Sequence, residues 1–390
     1  MKYWRGYLIA GIIAAITGAL IWFAKAHSVL IDMVYPYVTR MIITSMANWT
    51  GGMNFCLWQV LLIGLIVAGI ASVILMILLR WNPIQWFGWV LTAVSFIVLL
   101  QTAIFGLNKY ASPLADDLRL NVTEYTVSEL NEATVYFRDK ANELALRIPR
   151  DSKGNPDFGS FEELAEKAGD GFNALTYDEA ISVFAGSTVP VKKLGFSGLY
   201  SMRRISGVTV ALTGEAAVNP GVPAAALPFA MSKEMARRMS IYSDADSAFA
   251  AFLAGTVNES IAFQYSAYLV AYRSCYNALA SVPTSTAQTC ASQTDGGVNQ
   301  LLRQDLASYT KFFGKSSASA SIRSDNADVS AGDKTGLGAF SEYSDVADLL
   351  ASWYIQKFIV PLHQEEEAPF NPMDPSQVDL SGIVNAKPAS

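Results

Sequence analysis

Three uncharged apolar runs occupy the first quarter of the chain, and apolar positions at helical spacing fill most of the rest. Gly6 to Ala24 lies between Lys2 and Arg5 on one side and Lys25 on the other. Cys56 to Leu79 ends at Arg80, and Ile84 to Leu107 follows the turn Trp81-Asn82-Pro83. Each run has about the 20 residues that a spanning helix needs. Pro83 suits the first helical turn, where its missing N–H costs nothing, and Trp81, Trp86 and Trp89 cluster as interfacial aromatics do. The first run also invites reading as a cleaved signal peptide, but no small-x-small cleavage site follows it and two more runs come soon after. The pattern therefore predicts a transmembrane region over residues 1–107, with spans at 6–24, 56–79 and 84–107. The connector between the first two, Ala26–Phe55, is amphipathic and aromatic, which predicts short helices on the membrane surface.

Beyond Lys109 the text is mostly helical. Apolar periodicity predicts helices over Thr126–Ile148, Phe161–Lys167, Tyr177–Phe184, Leu227–Met239, Asp244–Ala254, Ile261–Ala280, Val298–Phe313 and Tyr343–Val360. Only Leu194–Leu212, with valines interspersed with glycine, reads as strand, so any sheet is small. Lys315–Gly338 is a Ser/Ala/Asp/Gly stretch expected to form a mobile loop, and residues 363–390 read as a disordered tail. The expected organisation is a membrane region, an ectodomain over residues 110–362 and the tail.

Composition agrees with a membrane protein. The chain is 52% hydrophobic and 16% charged, against about 25% charged for soluble domains. Residues 1–107 hold five of the 28 basic residues and one of the 34 acids, leaving 23 and 33 for the remainder, a formal net of −10 there. Such an acidic domain repels the phosphates of nucleic acid. Lys2, Arg5 and Arg80 lie on one side of the spans and Lys25 and Arg40 on the other. By a small margin this favours a cytoplasmic N-terminus and an extracytoplasmic ectodomain. Cys275 and Cys290 enclose a polar stretch and are candidates for a disulfide worth about 3 kcal/mol, with two thiols as the equal alternative.

The chemistry is concentrated in Ser232-Lys233-Glu234-Met235-Ala236-Arg237-Arg238, which reads like a metallopeptidase helix without its metal ligands. The zinc motif H-E-x-x-H sets two imidazoles four residues apart on one helix face, with Glu as the base. Here Lys233 and Arg237 stand at the ligand positions and only Glu234 survives; the chain's two histidines, His27 and His363, are elsewhere. A Ser-His-Asp hydrolase has no histidine near Ser240, Ser243 or Ser266. A Ser-Lys pair of Ser232 or Ser240 with Lys233 would need a desolvated lysine.

Several segments in series resemble one family. They are Gly198-Leu199-Tyr200, Thr213-Gly214-Glu215-Ala216-Ala217-Val218-Asn219, Leu227-Pro228-Phe229 before the Lys233–Arg237 helix, Asp246-Ser247-Ala248-Phe249 and Tyr265-Ser266-Ala267-Tyr268-Leu269. The chain resembles the bacterial membrane proteins grouped as domain of unknown function 3810, with zincin-like ectodomains. That resemblance implies a mainly α (α+β) zincin-like domain with a small sheet behind the three spans. It places the two zinc histidines at Lys233 and Arg237, the base at Glu234, and the third ligand, a Glu in the family, at Asp246.

With both imidazoles replaced, no metal or other cofactor is expected. The replacement suggests that Lys233 and Arg237 stand in electrostatically for the metal, buried and paired with Asp246 and with Glu215 or Glu234. The implied function is a catalytically inactive, envelope-anchored binding or scaffolding protein with a peptide or envelope-protein partner. The alternatives are an active hydrolase with an atypical metal or metal-free site, and a structural membrane protein.

Overall fold

The computed structural model describes residues 4–314 and 346–361. The expected loop at Lys315–Gly338 and the tail at 363–390 lie outside the described residues. Among the described residues, three helices are long and apolar enough to cross a membrane: α1 (Arg5–Ala26), α3 (Leu57–Leu78) and α4 (Pro83–Ile104). At 1.5 Å per residue, 22 residues cover about 33 Å, enough for the hydrocarbon core. Asn82 caps α4 by accepting from the Ile84 and Gln85 amides, with Pro83 just inside the helix. The third span stops at Ile104, short of the expected Leu107, because Gly106–Tyr110 tightens into a 3₁₀ turn. α1 and α4 pack closely: a Cβ on Gly6 would lie 2.5 Å from the Gly88 carbonyl carbon, and Thr92 Oγ1 donates to Gly6 O at 2.8 Å. Small residues let two membrane helices approach in this way.

The connector is one continuous helix, α2 (Ser28–Gly51), rather than several short ones; Pro36 sits inside it. It has two working faces. Leu30, Val34, Val38 and Met41 form an exposed apolar stripe, while Ile31, Thr39, Arg40, Ile43, Ala47 and Thr50 are buried. An interfacial helix shows this division, except that its second face is covered by the protein's own domain.

That domain begins with a short α5 (Leu114–Asp117), then α6 (Val127–Ala145) and α7 (Phe161–Lys167), each opened by a capping box, Thr126 with Glu129 and Ser160 with Glu163. α8 (Asp170–Tyr177) ends where a helix was expected to start, and only a 3₁₀ turn at Ser182–Phe184 follows. The expected strand region Leu194–Leu212 holds only one of the strands and is broken by α9 (Ser197–Met202); the other two flank it. The strands are β1 (Lys192–Lys193), β2 (Gly207–Val210) and β3 (Glu215–Val218), in the order β1-β3-β2. β1 runs parallel to β3; β2 runs antiparallel, with Val208 opposite Ala217 and Val210 opposite Glu215.

Helices complete the domain: α10 (Leu227–Arg238), α11 (Asp244–Val257), α12 (Ile261–Ser281), α13 (Ser285–Gly296), α14 (Gln300–Phe313) and α15 (Val346–Tyr354), the last continuing into a π turn at Ile355–Ile359. α13 replaces an expected polar loop. Thr284 caps it and Ala287, Ala291 and Thr294 form its buried face, a stripe too small and polar to register as hydrophobic periodicity. The core is aromatic. Phe137, Phe252, Tyr268 and Trp353 bring α6, α11, α12 and α15 together with ring centroids 5.1 to 6.5 Å apart.

Candidate functional site

The small sheet lies between two environments. Gly207, Thr209, Ala216 and Val218 face α10 and the main core, whereas Val208 and Ala217 pack with Cys56 and Trp58 at the start of α3. Chemistry-bearing side chains stand on both sides.

On the α10 side, Lys233 and Arg237 share one helix face, four residues apart. Ser243 caps α11 and leaves Asp244 as its first residue, beside the end of α10. Lys233 Nζ lies 2.8 Å from Asp244 Oδ1, and Arg237 Nη2 lies 2.6 Å from the same oxygen. Partial burial would raise the Asp244 pKa, but the charges and hydrogen bonds of Lys233 and Arg237 outweigh it and hold the carboxyl below its usual range. The anion between the two cations is thus Asp244, where Asp246, Glu215 or Glu234 was expected. The cluster is also shallow: the Asp244 side chain is 70% exposed.

Glu234 points the other way and is buried beneath β2. Thr209 Oγ1 lies 2.8 Å from Glu234 Oε2 and 2.9 Å from Glu234 O. Gly207 has no side chain because none fits: a Cβ there would lie 2.4 Å from Glu234 Cγ. Burial raises the Glu234 pKa, with Arg237, the Thr209 hydroxyl and Lys233 opposing it. A general base must reach the proton it removes, and this carboxylate is enclosed by strand and helix.

Glu215 belongs to the other face. Its fully buried carboxylate accepts from the amides of Leu57 at 2.8 Å and Trp58 at 2.9 Å, the first turn of α3, and pairs with Lys192 Nζ at 2.7 Å. Lys192 also donates to Thr50 O and Phe55 O. A carboxylate at a helix N-terminus meets orphan N–H groups and the positive end of the dipole. The neighbouring Gly214 has φ +65, and a Cβ on it would lie 2.3 Å from Ala47 N in α2. Thr50 Oγ1 donates to Thr213 O. The T-G-E run is therefore a joint between the domain and the membrane helices.

The other quoted segments are structural too. Ser266 Oγ accepts from the Phe229 amide at the start of α10. Tyr265 donates to Asp305, which also takes both terminal nitrogens of Arg150. Asp246 is buried and lines a cleft against α2, away from the Lys233 cluster. Ser240 Oγ accepts from Thr39 and Lys233 is engaged by Asp244, so no serine–lysine pair is assembled. Cys275 and Cys290 are not joined to each other.

Zinc does not fit the α10 site. Lys233 and Arg237, which stand where the resemblance implies ligands, are cations, and Arg237 Nε is a buried donor without an acceptor, so the unmet need is for an acceptor, the opposite of what a metal supplies. Among the described residues no three His, Cys, Asp or Glu side chains are grouped to hold a metal ion.

The segments that the sequence offered as marks of a family are thus the joints of the fold, and the family comparison covers all of them. The family described as a protein of unknown function (DUF3810) matches residues 32–349, from α2 to α15. The chain belongs to the DUF3810 family. No curated protein and no solved structure matches it. The DUF3810 match begins within α2, in keeping with the packing of that helix into the domain.

Sequence reasoning missed Asp244, Lys192 and Thr209. The Ser243-Asp244 cap is a readable signal for a carboxylate at the start of α11. Nothing local marks Lys192 or Thr209, whose partners come from 23 and 25 residues away.

Proposed function

We propose that this chain is a membrane-anchored, catalytically inactive relative of zinc peptidases that binds a peptide or envelope protein. The observation that carries this reading is the closure of Lys233 and Arg237 onto Asp244, at the two positions where the resemblance implies metal ligands. The enclosed Glu234 supports it from the side of the base. β2 supports the binding role. Val208 and Val210 pair with β3, so Gly207 and Thr209 turn their N–H and C=O groups to the outer edge of the sheet. Such an edge can take an added strand without a metal.

The domain is placed outside the cytoplasm in this reading. Lys2, Arg5 and Arg80 mark the far end of the spans, against Lys25 and Lys109 at the domain end. Arg40 no longer counts among the topological charges, because it is buried and bonded to Met239 O and Ser182 O.

The test is metal content by mass spectrometry on the full chain in detergent, purified without chelator. The full chain is needed because α2 and the start of α3 are packed into the domain. Less than a tenth of an equivalent of zinc (roughly the trace expected of exchangeable carboxylate binding), with a melting temperature indifferent to EDTA, is expected. Near-stoichiometric zinc with chelator-sensitive melting would establish the atypical hydrolase instead. A pull-down from solubilised envelope that recovers no specific protein or peptide would remove the binding role.

A further inference from the structure

A cleft of about 1340 Å³ lies apart from the α10 site. It lies where α2, the Gly106–Tyr110 turn, α5 and the start of α11 meet, and its walls include Val29, Asp32, Met33, Asn108, Asp117 and Asp246. Two spans end within a few residues of it, α1 at Ala26 and α4 at Ile104. The exposed stripe of α2 runs along the same helix. The mouth therefore stands at the level of lipid headgroups.

Its walls are rich in acceptors, from Asp117 at the exposed rim and half-buried Asp32 to buried Asn108. Asp32 Oδ1 takes the Ser112 amide at 2.8 Å, which leaves its second oxygen. Asn108 is only 6% exposed; its Nδ2 bonds Thr39, and its Oδ1 is buried without a donor. A buried acceptor left unmet costs about 1–3 kcal/mol. Arg40, the buried cation of the cleft, is committed to the Met239 and Ser182 carbonyls. Lys109, Arg119 and Glu179 are exposed residues of the same walls. Burial, then the Asp32 charge, pushes the Asp117 pKa up to about 6; Arg40 opposes this, and Asp116 and Asp246 add to it. Acids crowded in this way favour an added positive charge.

Asp32 and Asp117 act on each other across the cleft. No three His, Cys, Asp or Glu side chains among the described residues are grouped to hold a metal ion, whereas the unmet amide oxygen of Asn108 beside the acids calls for an N–H donor. We propose that the cleft binds a primary ammonium group, presented by an aminophospholipid headgroup at the membrane surface. The acceptors the cleft offers to the N–H donors are Asp117, the second oxygen of Asp32 and the orphan Asn108 Oδ1. Lys109 and Arg119 are available to the lipid phosphate, and Val29 and Met33 to its glycerol and chain. This inference is independent of the α10 site, and either can fail without the other.

The test is native mass spectrometry of the full chain, exchanged from detergent into mixed phosphatidylcholine and phosphatidylethanolamine. Mono- and dimethylated ethanolamine lipids form a ladder between the two. Retention of phosphatidylethanolamine over phosphatidylcholine by roughly fivefold, the effect of one partly exposed charge pair, is expected, falling along the ladder. Asp117→Asn and Asp32→Asn, the latter keeping the acceptor for Ser112, should each remove the preference. Asp116→Asn, an exposed neighbour outside the cleft, should keep it. In a second arm, free ethanolamine is added in lipid-free detergent. A melting shift there that Asp117→Asn abolishes, without lipid preference, keeps ammonium recognition and assigns a soluble source. Equal retention of all lipids with no response to ethanolamine overturns the proposal, as does a preference that survives both Asp→Asn changes.

Discussion

Two carboxylate–cation groups flank the small sheet, with similar contact distances and opposite depth. Glu215 and Lys192 are 2.7 Å apart, and the Glu215 side chain is wholly buried. Asp244 lies 2.8 Å from Lys233 and 2.6 Å from Arg237 with most of its surface in solvent. Contact length thus says little about what each group contributes. Desolvation and the satisfaction of remaining donors decide it. Around Glu215, two helix amides and Lys192 fill the carboxylate, and removing any member strands the others. Around Asp244, water can replace whatever is lost. The buried group is a structural joint to the membrane helices, while the exposed group occupies the place the resemblance gives to catalysis and can vary at small cost to the fold.

The sharpest way to break this contrast is Glu215→Ala. It leaves the Lys192 ammonium and the Leu57 and Trp58 amides without their acceptor, and a loss of about 3–5 kcal/mol is expected. Thermal unfolding of the full chain in detergent should register it as a fall of roughly 10 °C. A double change, Glu215→Gln with Lys192→Met, should recover part of the loss because no unpaired charge remains. A single-variant loss under about 1 kcal/mol would mean that water enters the joint, and the contrast would collapse.

The elements that sequence made legible are those whose signal is local. The three spans follow from unbroken apolar runs, α6 and α14 from helical periodicity with readable caps at Thr126 and Asn299, and α10 and α12 from periodicity alone. Pro36 and the aromatic residues around it disguised α2 as several pieces, because a proline breaks the local pattern even where neighbouring packing carries the helix through. The stretch that became α13 lacked bulky apolar residues, so its alanine face was silent. At the site, sequence fixed the face of Lys233 and Arg237 but not the acid across from it. Asp244 and Asp246 differ by two residues, about 200° around α11, and only the Ser243 cap decides which meets α10. Glu215 was assigned to the same cluster on chemistry alone. Its strand parity, opposite Val210 on the membrane-facing side, sends it to the other face of the sheet.

A smaller effect is expected at Thr209→Val, which sharpens the comparison by exposing a third carboxylate to the logic of the buried one. The hydroxyl is a short-range donor to Glu234, and its loss strands a buried acceptor at about 1–3 kcal/mol. The pH dependence has a definite sign. The folded pKa of Glu234 is raised above its unfolded value, so its contribution favours folding at low pH and is lost as pH rises through the folded value. Removing the hydroxyl that opposes the shift raises it further. The deficit of Thr209→Val relative to the parent should therefore grow between pH 5 and pH 8, read by chemical denaturation at each pH. A deficit that is flat across that range would show that Glu234 stays neutral throughout.

The smallest effect is expected at Asp244→Asn, where the contrast is most easily lost. The change keeps the shape of the side chain and removes the charge shared by Lys233 and Arg237. The cluster is largely solvated, so about 0–1 kcal/mol is the scale. Lys233 and Arg237 hold the Asp244 pKa below its unfolded value, so the contribution is present above that value and fades as pH falls through the folded one. Parent and variant should therefore differ slightly at neutral pH, converge in acid, and converge again in high salt, which screens exposed charges within about a Debye length. A loss of about 3 kcal/mol, insensitive to salt, would place Asp244 with Glu215 among the buried joints. It would also restore the view that Lys233 and Arg237 replace a metal as the electrostatic centre of the fold. A small, salt-sensitive loss leaves them what their exposure indicates, a shallow charged face whose variation the domain tolerates.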